Sequence, residues 1–409
     1  MPEAASLDKD DSLARFSAGF CLPEGMVYLD GNSLGASSTA VIDAVNAVLT
    51  EQWGADLISS WNKHDWIGMP VSVGERIAPL LGAAEGQVVS VDSISVNIFK
   101  LLNTALALRP GRLDIIAVED DFPSDAYVAQ GLAALLGAGR CRLRLVAQTQ
   151  LEQALDSKTA VVMLSHVNYR SGERYDMQRL SAAAHDSGAL ILWDLAHSAG
   201  VMPLDLDAHH VDMAVGCGYK YLNGGPGAPG FVYLNRRHHG RVTQPLWGWL
   251  GHSEPFAFKT GYRGAEGVAQ FQVGTPAVLS MAALNAALDV YGEASMKAIR
   301  TKSLALTAFA LERMDALGIL NEMTCITPST PNSRGSQLSL VHPQAWGISQ
   351  ALIEANIIVD FRAPDVLRLG FAPLYNSFGD VEITAMTLAD IVRDQRYLSV
   401  RFQQRPKVT

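Results

Sequence analysis

Cysteine is scarce: Cys21, Cys141, Cys217 and Cys325 are the only four in 409 residues, and no two form a C-x-x-C pair. So few scattered thiols exclude a disulfide framework or a cysteine zinc site, and they fit a reduced, cytoplasmic protein. No apolar run reaches the ~20 residues needed to span a bilayer. The segment 1–16 lacks the apolar stretch of a secretory leader, so none is expected. Blocks of like charge are missing too. Lys and Arg number 32 against 41 Asp and Glu, a net −9 spread along the chain. That balance argues against a nucleic-acid partner, which needs a basic face. Internal repeats and low-complexity linkers are also missing from the sequence.

What is present reads as a globular protein, 48% hydrophobic and 18% charged. Its length exceeds what one core usually organises, so two domains are expected. From 71 to 234, short apolar runs alternate with amphipathic stretches such as 124–136 and 176–185. Strands are expected at 87–91, 114–118, 142–146, 160–164, 189–193, 212–215 and 230–234. This alternation predicts an α/β fold, a mostly parallel sheet with helices on both faces. The stretch 235–274, rich in Gly, Pro, Trp and His, reads as functional loop. A long helical pattern follows over 276–317. The expected division is an N-terminal segment 1–60 packing with the small domain, a large α/β domain 61–290, and a small α+β domain 291–409.

Two segments carry the chemistry. In Ile191-Leu-Trp-Asp-Leu-Ala-His-Ser-Ala-Gly200, Asp194 leaves an apolar strand and His197 follows three positions later. A carboxylate at a buried strand end is costly to desolvate without a cationic partner. A protonated pyridine nitrogen is such a partner, and protonation makes the ring an electron sink. Twenty-six residues after Asp194, a second strand runs into Tyr219-Lys220 and a Gly/Pro turn over 222–230. An amine held out of water is more readily neutral, and a neutral amine can attack an aldehyde. Taken singly, Asp194 is as well read as a helix cap and Lys220 as a surface lysine. Together they point to pyridoxal 5′-phosphate.

The chain resembles the kynureninases, within the fold-type I, aminotransferase-like class of pyridoxal-phosphate enzymes. The match runs nearly end to end. It includes Tyr28-Leu-Asp-Gly-Asn-Ser-Leu-Gly35, Phe122-Pro-Ser-Asp125 and Trp193-Asp-Leu-Ala-His-Ser-Ala-Gly200. It continues through Tyr219-Lys-Tyr-Leu-Asn-Gly-Gly-Pro-Gly227, Gly248-Trp-Leu-Gly-His252 and Arg368-Leu-Gly-Phe-Ala-Pro-Leu-Tyr-Asn-Ser-Phe378. The Tyr-Lys, Gly-Trp-x-Gly-His and Pro-Leu-Tyr runs are the more particular to this family. The resemblance implies Lys220 as the Schiff-base lysine and the base for the substrate α-proton. It implies Asp194 on the pyridine nitrogen, His197 near the phenolic edge, and Phe122 stacked on the ring with Asp125 and Ser165 nearby. Ile94 and Ser95, opening a helix expected over 95–106, would bind the phosphate through free N–H groups and the positive helix end. Tyr219 would serve the phosphate and proton transfer. Trp249 and Thr275 would come from the neighbouring subunit of a homodimer with shared sites. Arg368 would hold the substrate α-carboxylate as a planar fork. Asn32 and Ser33 fall in a matching turn that shapes the pocket.

The implied reaction is hydrolysis of the Cβ–Cγ bond of L-kynurenine to anthranilate and L-alanine, in tryptophan breakdown. Thr275 stands where relatives favouring the 3-hydroxylated substrate carry Asn, which leans toward plain kynurenine. Two other readings compete. A cysteine desulfurase or class V aminotransferase shares the fold and the lysine. A desulfurase, however, needs a thiol near the carboxylate-binding arginine, and 360–371 contains none. A non-catalytic scaffold would have no need of Lys220, Asp194, His197 and Arg368 together.

Overall fold

The protein was analysed as a computed structural model that describes residues 2–403. Seven strands form the main sheet: β1 (Val88–Ser90), β2 (Asp114–Val118), β3 (Arg142–Val146), β4 (Thr159–Ser165), β5 (Leu190–Asp194), β6 (Met213–Cys217) and β7 (Gly230–Leu234). Their order is β1-β7-β6-β5-β4-β2-β3. Only β7 runs against its neighbours. Helices α1 (Ile94–Leu108), α2 (Pro123–Leu136) and α3 (Met177–Asp186) make the crossovers that parallel strands require. Six of the seven strands are buried along their whole length, because side chains leave both faces of the sheet into apolar packing. The expected mostly parallel α/β sheet is therefore observed; three strands coincide with expectation and the ends of the other four differ by one or two residues.

Helix starts follow side-chain chemistry. The Ser93 hydroxyl accepts the Val96 N–H at 3.4 Å and caps α1, which begins one residue earlier than expected. The expected helical run 276–317 is divided. Helix α4 (Val278–Ala287) ends in a 3₁₀ turn, and Ser295 caps α5 (Met296–Ala316) by accepting the Ala298 N–H. A serine whose oxygen satisfies a first-turn N–H starts a new helix where apolar periodicity alone continues the old one.

A second core forms around a four-stranded antiparallel sheet of β8 (Thr324–Cys325), β9 (Gln337–Val341), β10 (Asp360–Arg362) and β11 (Val366–Gly370), ordered β10-β11-β9-β8. Helices α6 (Ala345–Glu354) and α7 (Phe378–Arg393) pack on it. Residues from the chain start join this core: Ala4, Val27 and Leu29 are buried in it, and Val27–Tyr28 pairs in parallel with Ile357–Ile358. Asp8 accepts the N–H groups of Phe378 and Gly379 at the start of α7. The chain then returns to the main sheet, where Val41 packs against Ala283 and Ala287 of α4. The loop between these two contacts, residues 30–35, crosses the cleft between the cores.

Candidate active site

The parallel strands all point their C-terminal ends at that cleft, where an open α/β sheet binds ligands. β4 delivers Ser165 and β5 delivers Asp194, which are register partners. β6 ends at Cys217 and turns through Gly218 to Tyr219 and Lys220; β2 leads to Asp121 and Phe122. The cleft encloses a cavity of about 240 Å³. Its lining includes Ile94, Ser95, Phe122, Asp125, Ser165, Asp194, His197, Tyr219, Lys220 and Arg368. Ten of the residues singled out from the sequence thus meet in one place. Trp249 and Thr275 do not. Trp249 lies half-exposed on a 3₁₀ turn with its ring edge-on to Phe256, and Thr275 is exposed.

Lys220 Nζ lies 2.9 Å from His197 Nε2. Burial, reinforced by the charge of Lys220, holds the His197 imidazole well below its usual pKa, so the ring is neutral. Its Nδ1 meets Gln337 Oε1 at 3.2 Å, and that oxygen also accepts from Asn32 at 3.1 Å. An amide oxygen can only accept, so the proton sits on Nδ1 and Nε2 is left to accept from the lysine. Gly35 secures the turn from the other side. Its N–H donates to the Tyr219 carbonyl at 2.8 Å, and a Cβ at Gly35 would overlap the Lys220 carbonyl.

Three carboxyls gather at the deep end. Asp194 accepts the Ala196 N–H at 2.7 Å, and burial raises its pKa despite the neighbouring Lys220. Asp125, raised well above the usual range by burial and then by Asp194, leaves Oδ1 without a hydrogen bond. Asp121 accepts the Ser165 N–H at 2.9 Å, yet burial pushes it up to about 7. Among the charges that act on these buried carboxyls Lys220 is the one cation, so a further cationic group entering here would be favoured.

At the opposite end Ser93, Ile94 and Ser95 open α1 toward the cavity, and Ser95 Oγ meets Ser124 Oγ at 3.1 Å. Gly230 allows this start to sit against the sheet, since a Cβ there would press on the Ile94 nitrogen and Asn97. Lys100, fully buried on α1, anchors the approach. It pairs with Asp92 and donates to the Phe271 carbonyl at 2.7 Å. Phe122 turns a face to the cavity, its ring edge-on to Tyr169 and 6.0 Å from Lys220 Nζ. Burial raises the Tyr219 phenol, which keeps its proton.

Arg368 enters from β11, almost wholly buried. It bonds Asp360 through Nε at 2.6 Å, the Tyr169 carbonyl at 2.6 Å and Ser33 Oγ at 3.1 Å. Arg362 also lines the cavity, as do Asn32, Ser33 and Tyr169. Arg362 was not singled out from the sequence. The signal available was strand alternation: Asp360 and Arg362 are two apart on β10, and Asp360 is the register partner of Arg368.

Residues 299–388 match the family described as the kynureninase C-terminal domain. The kynureninase of Pseudomonas fluorescens is 43% identical over 412 residues, covering 100% of this chain and 99% of that protein. That of Burkholderia pseudomallei strain 1106a is 44% identical with the same coverage. The chain belongs to the kynureninase family.

Solved structures extend the likeness to the fold alone. A cysteine desulfurase from Escherichia coli superposes with a TM-score of 0.77 at 20% identity, covering 93% of this chain and 98% of that one. A C-DES variant, with glycine covalently linked to its PLP cofactor, gives 0.77 at 21%, covering 90% and 97%. The second of these carries PLP, the cofactor expected from the Asp194 and Lys220 segments. No helix among the described residues is long and apolar enough to cross a membrane, and none of their His, Cys, Asp and Glu groups could hold a metal ion.

Proposed function

We propose that this chain hydrolyses the Cβ–Cγ bond of L-kynurenine to anthranilate and L-alanine, using pyridoxal 5′-phosphate, as expected of its family. The observation that carries the reading is the meeting of Lys220, Asp194, His197 and Arg368 around one cavity, in a chain matching the family end to end. The residues present fit the cofactor. The buried carboxyls at the deep end, with the orphaned Asp125 oxygen, suit a protonated pyridine nitrogen on Asp194. The N–H groups of Ile94 and Ser95 suit a phosphate. Phe122 suits the ring face. When bound, the cofactor supplies an aldehyde for Lys220 and an electron sink for the substrate α-carbon.

The chain's own residues do the rest. Lys220 Nζ takes the α-proton, and neutral His197 orients that amine. Arg368 holds the α-carboxylate, so the α-proton faces Lys220. Tyr219, whose phenol is kept protonated, gives a proton to the departing Cβ as water adds to the γ-carbonyl. Ser165, beside Asp194, steadies the deep wall. We further propose a cytoplasmic homodimer in which Trp249 and Thr275 of each subunit close the other's pocket. Thr275 in that position favours kynurenine over 3-hydroxykynurenine. The domain limits proposed are 1–60 with the small domain, 61–290 and 291–409.

The test is incubation of the holoenzyme with L-kynurenine, its 3-hydroxy analogue and L-cysteine. Fluorescent anthranilate with stoichiometric alanine supports the reading. Sulfide release from cysteine without anthranilate would overturn it in favour of a desulfurase. The latter lacks support at the site, since no cysteine lines the cavity among the described residues.

A further inference from the structure

Two guanidiniums reach the cavity, and they are not equivalent. Arg368 is spent. Its Nε and Nη2 sit on Asp360, Nη2 also meets Ser33 Oγ, and Nη1 donates to the Tyr169 carbonyl, with the side chain only 1% exposed. A carboxylate fork needs two parallel N–H groups from one edge, and Arg368 keeps only one N–H, on Nη1, without a partner among the described residues, enough for a single contact but not for a fork. Arg362 is open. It bonds Asp360 through Nε at 2.8 Å and reaches Ser33 Oγ at 3.4 Å, its Nη1 has no partner among the described residues, and its side chain is 34% exposed. Asp360 is the one carboxylate bonded to either arginine among the described residues. Asp30, half-buried nearby, bonds to neither.

We propose that the substrate carboxylate is held between two guanidiniums, Arg362 supplying the open edge and Arg368 the fixed one, with Asp360 as the positioning residue that aligns both. The inference rests on the amino-acid-cleaving function above and deepens it. The hairpin of β10 and β11 explains how such a pair arises. Alternation puts Asp360 and Arg362 on one face, and register brings Arg368 to the same place. The paired guanidinium N–H groups at this end then select a free α-carboxylate over an amide or a peptide.

The experiment uses the holoenzymes of wild type, Arg362→Gln and Arg362→Lys, with L-kynurenine and its α-carboxamide. For Arg362→Gln, KM for L-kynurenine should rise by about 10- to 100-fold with cofactor absorption unchanged. KM for the carboxamide should hardly move, so the preference for carboxylate collapses by the same factor. Arg362→Lys, which keeps the charge without the planar fork, should recover part of that preference. Equal losses on both substrates, or an unchanged KM for L-kynurenine, would overturn the proposal. If Arg362→Gln does not fold, Arg362→Lys alone decides: a carboxylate preference equal to wild type counts against a fork at this position, and a partial loss supports it. If wild type makes no anthranilate, the functional reading fails by itself. Titration of the bound cofactor's absorption with L-alanine and L-alaninamide then tests Arg362 without turnover, with loss of discrimination in Arg362→Gln expected and its retention counting against the pair.

Discussion

Behind Lys220 the hydrogen bonds run in one direction, from lysine to His197, from His197 to Gln337, with Asn32 donating to the same amide. Lys220→Ala should therefore leave a folded chain that cannot be labelled by borohydride in the presence of cofactor, whereas wild type should carry the pyridoxyl adduct on Lys220. An adduct on another lysine would refute the assignment. Arg368→Ala should damage amino-acid binding far more than cofactor retention, a loss of roughly 2–5 kcal/mol for a buried charge-assisted contact. Release of the cofactor with substrate affinity intact would contradict that placement. Asp121 gives a pH test. Its folded pKa of about 7 lies above the ordinary carboxyl value of about 4. Between those values the folded chain holds a proton that the unfolded chain has lost, so this contribution to stability falls as pH rises from about 4 to 7. In the apoprotein, Asp121→Asn should gain stability relative to wild type from pH 5 to pH 8, measured by urea unfolding. A difference independent of pH would mean the carboxyl is not held protonated.

At the scale of elements, the site depends on how turns are pinned. Lys100 joins the Asp92 turn before α1 to the Phe271 carbonyl, so one buried ammonium ties the candidate phosphate end to the segment leading to Thr275. Lys100→Met keeps the volume but leaves the Phe271 carbonyl unpaired, at a cost of about 1–3 kcal/mol. Thermal unfolding should register that loss, and weakened cofactor retention should accompany it. Unchanged affinity for the cofactor would show that the turn holds its shape without Lys100. Gly35→Ala tests the opposite wall. The added methyl collides with backbone at Lys220 rather than with a side chain that can swing away. Activity should fall strongly while the unfolding midpoint changes less, because the loop can lift but the lysine then loses its setting.

For the whole molecule, the half-exposed Trp249 and exposed Thr275 bear on assembly, since neither belongs to the cavity of its own chain. A mixed dimer of one Lys220→Ala chain and one chain altered at both Trp249 and Thr275 should regain activity over either parent, because one pocket would hold both intact sets. No recovery, or full activity in a diluted monomer, would rule out sharing. The polar cluster of His185, Arg237 and His238 around Asp212 is a different global device, at the opposite end of the strands from the site. Burial alone would raise this carboxyl, but hydrogen bonds from His185 and His238 and the charge of Arg237 together hold it well below its usual range. It stabilises the main sheet at neutral pH and ceases to do so only in strong acid.

Local chemistry made much of this legible in sequence. Apolar runs set the strands of the main sheet, because a strand buried on both faces has to be apolar throughout. Asp194, His197 and Lys220 stood out because polar groups at buried strand ends need partners. The break at Ser295 and the cap at Ser93 went unread, since a serine hydroxyl in a cap and one on a helix surface look alike until the backbone places a free N–H beside it. Arg362 was missed for a stronger reason. Whether a guanidinium is spent or open depends on Asp360, Ser33 and Tyr169, which lie up to 335 positions from Arg368 in the chain and meet only across the cleft between two cores. The sequence by itself determined which residues could do the chemistry and which strands would carry them. Tertiary structure alone decided which donors stay free, because a hydrogen bond is a matter of ångströms and separation along the chain says nothing of it.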